Sequence, residues 1–87
     1  MAAANKRIIF TANTDRYSEA VDIQAITVDP SAGAWAIDLT DVAGNSIFQA
    51  GAAADVSYGM VFPNPIPATA INPTTWTNIT KVIIYLA

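Results

Sequence analysis

Residues 35–50, Trp35-Ala36-Ile37-Asp38-Leu39-Thr40-Asp41-Val42-Ala43-Gly44-Asn45-Ser46-Ile47-Phe48-Gln49-Ala50, form the stretch on which the fold turns. Trp35, Ile37 and Leu39 recur at every second position, which puts them on one side of an extended chain with Asp38 and Thr40 pointing out. Residues 41–45 (DVAGN) supply a tight connection, because Asp, Gly and Asn are the residues that turns use. Residues 46–51 then return as the second arm of a hairpin.

The same period of two continues on both sides. Towards the C-terminus, residues 50–55 (AGAAAD) read as one helical turn, too short to stand alone. Val56, Tyr58, Met60 and Phe62 alternate as a further strand. Pro63-Asn64-Pro65-Ile66-Pro67 is excluded from a central strand, since each Pro removes a ladder donor. An extended, polyproline-like edge or crossover is expected there. Residues 68–77 add a short strand around Trp76, and residues 78–86 (NITKVIIYL) form the last one. This final strand is apolar on both faces towards its end, so it is expected to be central or covered. Towards the N-terminus, residues 29–33 (DPSAG) carry turn chemistry. Residues 20–28 (AVDIQAITV) alternate as Val21, Ile23 and Ala25, then change phase to Ile26 and Val28, which predicts a bulge near Gln24–Ala25. Residues 6–12 (KRIIFTA) read as the first strand. About seven to eight short strands with turns at intervals of roughly 8–12 residues predict an all-β fold, an antiparallel β-sandwich or jelly-roll-like barrel. No heptad or amphipathic helix is visible. Residues 1–5 are expected to be a short arm and residues 6–87 a single domain.

Composition narrows the function. The chain of 87 residues contains neither Cys nor His, which removes disulfides, thiolate nucleophiles, the usual general base and the commonest metal ligands. An enzyme is not expected, and neither is a cofactor. The net charge is −3, with Lys6, Arg7, Arg16 and Lys81 as the only cations. Four scattered cations cannot neutralise a run of phosphates, so nucleic acid and anionic membrane are poor partners. The longest uncharged run, residues 56–80, could span a bilayer by length, but its four prolines exclude a membrane helix. No secretory signal is recognised at the start of the chain. Apolar residues make up 53% and charged residues 13%, too few charges to cover a small monomer. Burial against copies of itself or a partner follows as the expectation.

Side chains able to do chemistry are few. Asp15, Glu19, Asp22, Asp29, Asp38, Asp41 and Asp55 sit mostly beside turns or at outward strand positions, where solubility and turn bonding explain them. Asp38 and Asp41 with Asn45 could share a hard cation, against which stands ordinary turn structure. Asn78-Ile79-Thr80 matches a glycosylation acceptor, a short pattern with no secretory context here. Trp35 and Tyr58 lie in phase with aliphatic neighbours and read as core, whereas Tyr17 and Trp76 lie among polar residues. Those two are the candidate exposed aromatic contacts, for instance as a sugar-stacking pair, with core packing the other reading of Trp76. Phe62, Pro63, Pro65, Ile66, Pro67 and Trp76 are the candidate contacts to further copies or to a larger partner surface such as a capsid: rigid prolines lose little entropy on binding, and the apolar side chains supply anchors.

Residues 41–50 (DVAGNSIFQA), 62–66 (FPNPI) and 82–86 (VIIYL), in this order, resemble small β-sandwich structural proteins of tailed bacteriophages, of the head-decoration or cement type. The chain departs from that pattern after the Pro segment, where Ala68-Thr69-Ala70-Ile71-Asn72 stands in place of a Gly-containing turn. The resemblance implies a virion structural protein, made in the bacterial cytoplasm, with many copies bound to the major capsid protein and commonly assembled as trimers. A tail or neck component is the near variant of this expectation. A carbohydrate-binding or host-attachment module with a glycan partner is the alternative from another class.

Overall fold

The computed structural model describes residues 7–54 and 56–87; the expected arm over residues 1–5, and Asp55, lie outside the described residues. Among the described residues seven strands follow one another: β1 (Arg7–Phe10), β2 (Val21–Pro30), β3 (Trp35–Thr40), β4 (Ser46–Ala52), β5 (Tyr58–Ala68), β6 (Asn72–Thr77) and β7 (Ile79–Leu86). They form two antiparallel sheets, one ordered β1-β7-β2-β5 and the other β4-β3-β6. The chain switches sheets at every connection after β2 except the β3–β4 hairpin. This is jelly-roll connectivity with one strand reduced. The reduced strand lies in the segment between β1 and β2, which touches the smaller sheet through a single bridge, Tyr17 to Ile71, at the start of β6.

The core fills the space between the sheets. Ile23, Ile26, Val28, Val82, Ile84 and Phe10 project inward from the larger sheet, and Trp35, Ile37, Leu39 and Phe48 from the smaller one. Alternation in β3 puts Trp35, Ile37 and Leu39 inside, as the period of two requires. Trp35 meets Tyr58 at a ring-centroid distance of 5.6 Å, and Phe48 meets Tyr58 at 6.1 Å and Phe62 at 6.2 Å, so β5 closes over β4 through aromatic contacts. The Trp35 Nε1 hydrogen is buried and finds no acceptor among the described residues.

β7 lies between β1 and β2, as its apolar residues predict. The predicted bulge is present: both ladders of β2 shift register between Ile23 and Ala25. On the β5 side, Val61 pairs with Ala25 and Ile66 with Ile23, so residues 62–65 all face Gln24. The Gln24 amide donates to the Phe62 carbonyl at 2.9 Å and ties down this loop. Pro63 and Pro65 therefore occupy positions with no ladder bond to lose, on an edge strand.

Three expectations differ in detail. Thr40 was expected to face out, yet it is 7% exposed and its hydroxyl donates to the Asn72 carbonyl at 3.3 Å. The strands on both sides shift register here, with Ile47 bulged on β4 and Thr74 on β6, and Thr40 pairs with Ser46 and Asn72. Residues 50–52, expected within a helical turn, continue β4, because pairing with β3 outweighs the weak helix tendency of a few alanines. Val56, expected to begin a strand, precedes β5 and is 62% exposed.

Two polar clamps hold the connections. Asn78 adopts φ 54°, a conformation that Asn tolerates better than most residues. Its amide donates to the Ala34 carbonyl at 2.7 Å and its own carbonyl accepts from Ser31 N–H at 2.8 Å, which closes the β2–β3 turn. Asp15 accepts from the backbone N–H of Thr11 at 2.7 Å and of Ala12 at 3.2 Å. The bond from Thr11 N–H, with smaller help from Ala12, the Thr11 hydroxyl and Arg16, holds its carboxyl below the ordinary 3.8. A lowered folded-state pKa adds stability that is complete above the unfolded value and disappears as pH falls through the folded one. Denaturant midpoints are therefore expected to be level from about pH 8 to 5 and to decline below roughly pH 4, as carboxylates take up protons. Asp15→Asn should sit lower across the level region, and the gap to the parent should close in acid. A gap independent of pH would remove Asp15 from this role.

Candidate interaction surfaces

The two sheets present outer faces of opposite character. On the smaller sheet, Asp38 lies at the centre, paired with Gln49 on β4 and Thr75 on β6. Its carboxylate accepts from the Ser46 hydroxyl at 2.8 Å and the Gln49 amide at 3.0 Å, and its carbonyl accepts from the Thr74 hydroxyl at 3.2 Å. In the next row, Ala36 stands between Gly51 and Thr77. A Cβ on Gly51 would come within 2.9 Å of the Trp35 carbonyl, so this side stays flat. The face is polar, low and satisfied by its own hydrogen bonds.

The larger sheet is different. Register places Ile9, Ile83, Thr27 and Gly59 in one row across all four strands, and Arg7, Tyr85, Ala25 and Val61 in the next. A third row begins with Lys81 opposite Asp29. Ile9 is 49% and Val61 69% exposed. Gly59 leaves a concavity of ≈450 Å³ beside Thr27 and Ile83, with Lys81 and Asp29 on its margin. The first two rows, mostly apolar, cover roughly 20 Å by 14 Å across the four strands, a patch near the ~300 Å² at which monomers begin to carry functional surface, with the charged pair Lys81 and Asp29 along its border. The signal for it was present in residues 78–86, apolar on both faces. β7 is central within its sheet, but among the described residues no other element of the fold packs on its outer side.

The candidate contacts singled out in the sequence are spread over the molecule. Pro63, Pro65 and Pro67 are exposed on the edge strand β5, and Phe62 and Ile66 lie half-buried against the core. Trp76 is on β6, in the other sheet, paired with buried Ile37, and it packs against the core while keeping part of its ring exposed. Tyr17 is likewise half-buried and bridges Ile71, just before β6 begins. Trp76 lies five residues beyond Ile71 with Thr74 bulged between them, which puts the two aromatics about 13 Å apart along the strand direction. They do not share one platform.

The acidic loop has a structural role. Asp41 Oδ1 accepts from Ala43 N–H at 3.0 Å and Asn45 N–H at 2.9 Å, while Asp38 is engaged on the sheet face. Among the described residues, no three carboxylates gather as a metal site would require. Asp22 and Asp41 approach a second concavity, of ≈430 Å³, beside Ala68 at one end of the sandwich.

No protein-family model and no curated protein sequence matches this chain. Among solved structures, the chain is similar to the family 32 carbohydrate-binding module of C. perfringens NanJ, solved in complex with galactose. The TM-score is 0.51 at 15% identity, covering 94% of this chain and 77% of the other. At that identity the likeness speaks for the fold: this chain is a small all-β protein of the β-sandwich type.

Proposed function

We propose that this chain is a virion structural protein, a decoration subunit that binds the surface of a phage head and stabilises it without turning over any substrate. The observation that carries the reading is the bare apolar face of the larger sheet, centred on Ile83 and Tyr85 with Ile9 and Val61 at its sides. Such a face is costly to leave in water and suits a protein whose working state is an assembly. The resemblance of residues 41–50, 62–66 and 82–86 to phage cement proteins supports the same role. Edge strand β5 carries prolines, which discourage open-ended strand addition and favour controlled docking. Binding only to the intact shell stabilises it by mass action, by about 2.7 kcal/mol per site at a hundredfold excess over Kd. With no His in the chain, binding is expected to vary little between pH 6 and 8.

A glycan-binding role is the second reading, and the comparison with solved structures favours it: the similar module is one solved with galactose. In this chain Tyr17 and Trp76 would then touch separate sugar units of a longer glycan, given their separation along β6. One comparison separates the two. A decoration protein should raise the temperature at which its particles disrupt, and Trp76→Ala should leave that rise largely intact. If bound protein leaves the disruption temperature unchanged while Trp76→Ala abolishes binding to a host glycan, the glycan reading replaces the first.

A further inference from the structure

We infer that the outer face of the larger sheet docks against the same face of a second copy of this chain, about a two-fold axis running parallel to the strands between β7 and β2. The inference rests on the reading of this face as one that is covered in the working state, and it names what covers it.

A two-fold axis in that position exchanges the left and right halves of each row. Lys81 on β7 then lies over the partner's Asp29 on β2, and Asp29 over the partner's Lys81, so one operation creates two opposite-charge contacts. An axis at right angles to the strands would instead bring the charged third row of each copy over the row of Arg7, Tyr85, Ala25 and Val61, with Lys81 over Tyr85 and Asp29 over Ala25. The same parallel axis carries Ile9 on β1 over Gly59 on β5, since both belong to one row. Ile9 projects, being 49% exposed, and the missing side chain of Gly59 leaves the concavity that would receive it. In the next row, Tyr85 meets Ala25, a large residue on a small one. Charge and shape thus agree on one axis. Twisted sheets packed face to face at about −30° permit such an alignment over the central strands.

The contact is small. The three rows together, roughly 400 Å² on each copy, fall below the ~800 Å² per partner of stable complexes, so the pair is expected to be weak in solution. Weak pairing suits a contact that matters when copies are already held close, where effective concentration is high. It is isologous, and differs in symmetry from the trimer that the family resemblance implies.

Sedimentation equilibrium on the whole chain up to millimolar concentration tests this. The parent should show a monomer–dimer equilibrium. Lys81→Asp alone and Asp29→Lys alone should each weaken dimerisation at least tenfold, because each places like charges across the axis twice. An equimolar mixture of these two variants should recover it to within about threefold of the parent, since each variant complements the other. That recovery cannot arise from a folding defect in either variant. A parent that stays monomeric to millimolar concentration, or a mixture that associates no better than its components, overturns the inference. The outcome is separable from the decoration reading: a monomer that still stabilises particles sinks only the dimer, and a dimer that stabilises none sinks only the decoration role.

Discussion

Deleting residues 82–87 is expected to abolish folding rather than weaken it. β7 is hydrogen-bonded to β1 along one side and β2 along the other, so its removal leaves β1 with no partner strand and opens β2 to solvent. Val82 and Ile84 are fully buried, and each contributes about 1.5–3 kcal/mol by burial. Their loss also uncovers Phe10, Ile26 and Val28, which face the same interior. A domain of 87 residues has a net stability of only about 4–13 kcal/mol, which this combined loss exceeds or nearly exceeds. Soluble expression and a cooperative melt are the measurements. A soluble, cooperatively folding truncate would show that these residues form a peripheral arm, contrary to their place between β1 and β2.

The second large effect belongs to Trp35. The ring packs against Tyr58 at the point where β3, β4 and β5 meet, and it is only 3% exposed. Trp35→Ala is expected to cost about 3–5 kcal/mol, through lost transfer energy and a cavity that the surrounding rings cannot refill. Trp35→Phe should cost much less. Phe keeps an aromatic ring against Tyr58 and deletes the Nε1 hydrogen, which is buried with no acceptor among the described residues, an arrangement that costs about 1–3 kcal/mol. Chemical denaturation of the three chains gives the comparison. Equal losses for Ala and Phe would mean that the indole N–H has a partner, such as an ordered water.

Local chemistry was legible residue by residue. The change of phase after Ala25 announced a bulge, and both ladders shift at that place. Prolines after Phe62 announced an edge, and β5 is one. The burial of Thr40 was not legible, because it goes with bulges at Ile47 and Thr74 on the neighbouring strands, and nothing in the type of Thr40 itself marks them. The candidate surface was half legible: an apolar run on both faces of residues 78–86 pointed to covering, but not to which side of the strand would lack it.

By itself, the sequence determined the all-β class, the β3–β4 hairpin, the bulge at Gln24 and the absence of thiol and imidazole chemistry, all of which follow from spacing, turn residues and composition within short windows. The tertiary structure alone decided that Tyr17 and Trp76 stand apart along β6, and that Ile9, Ile83 and Thr27 align with Gly59 across four strands. The physical reason is that a period of two specifies which side chains share a face of one strand. Which strands become neighbours, and which of their faces meets the other sheet, depends on pairing between segments far apart in the chain, such as β1 with β7, where burial of the whole core selects one arrangement.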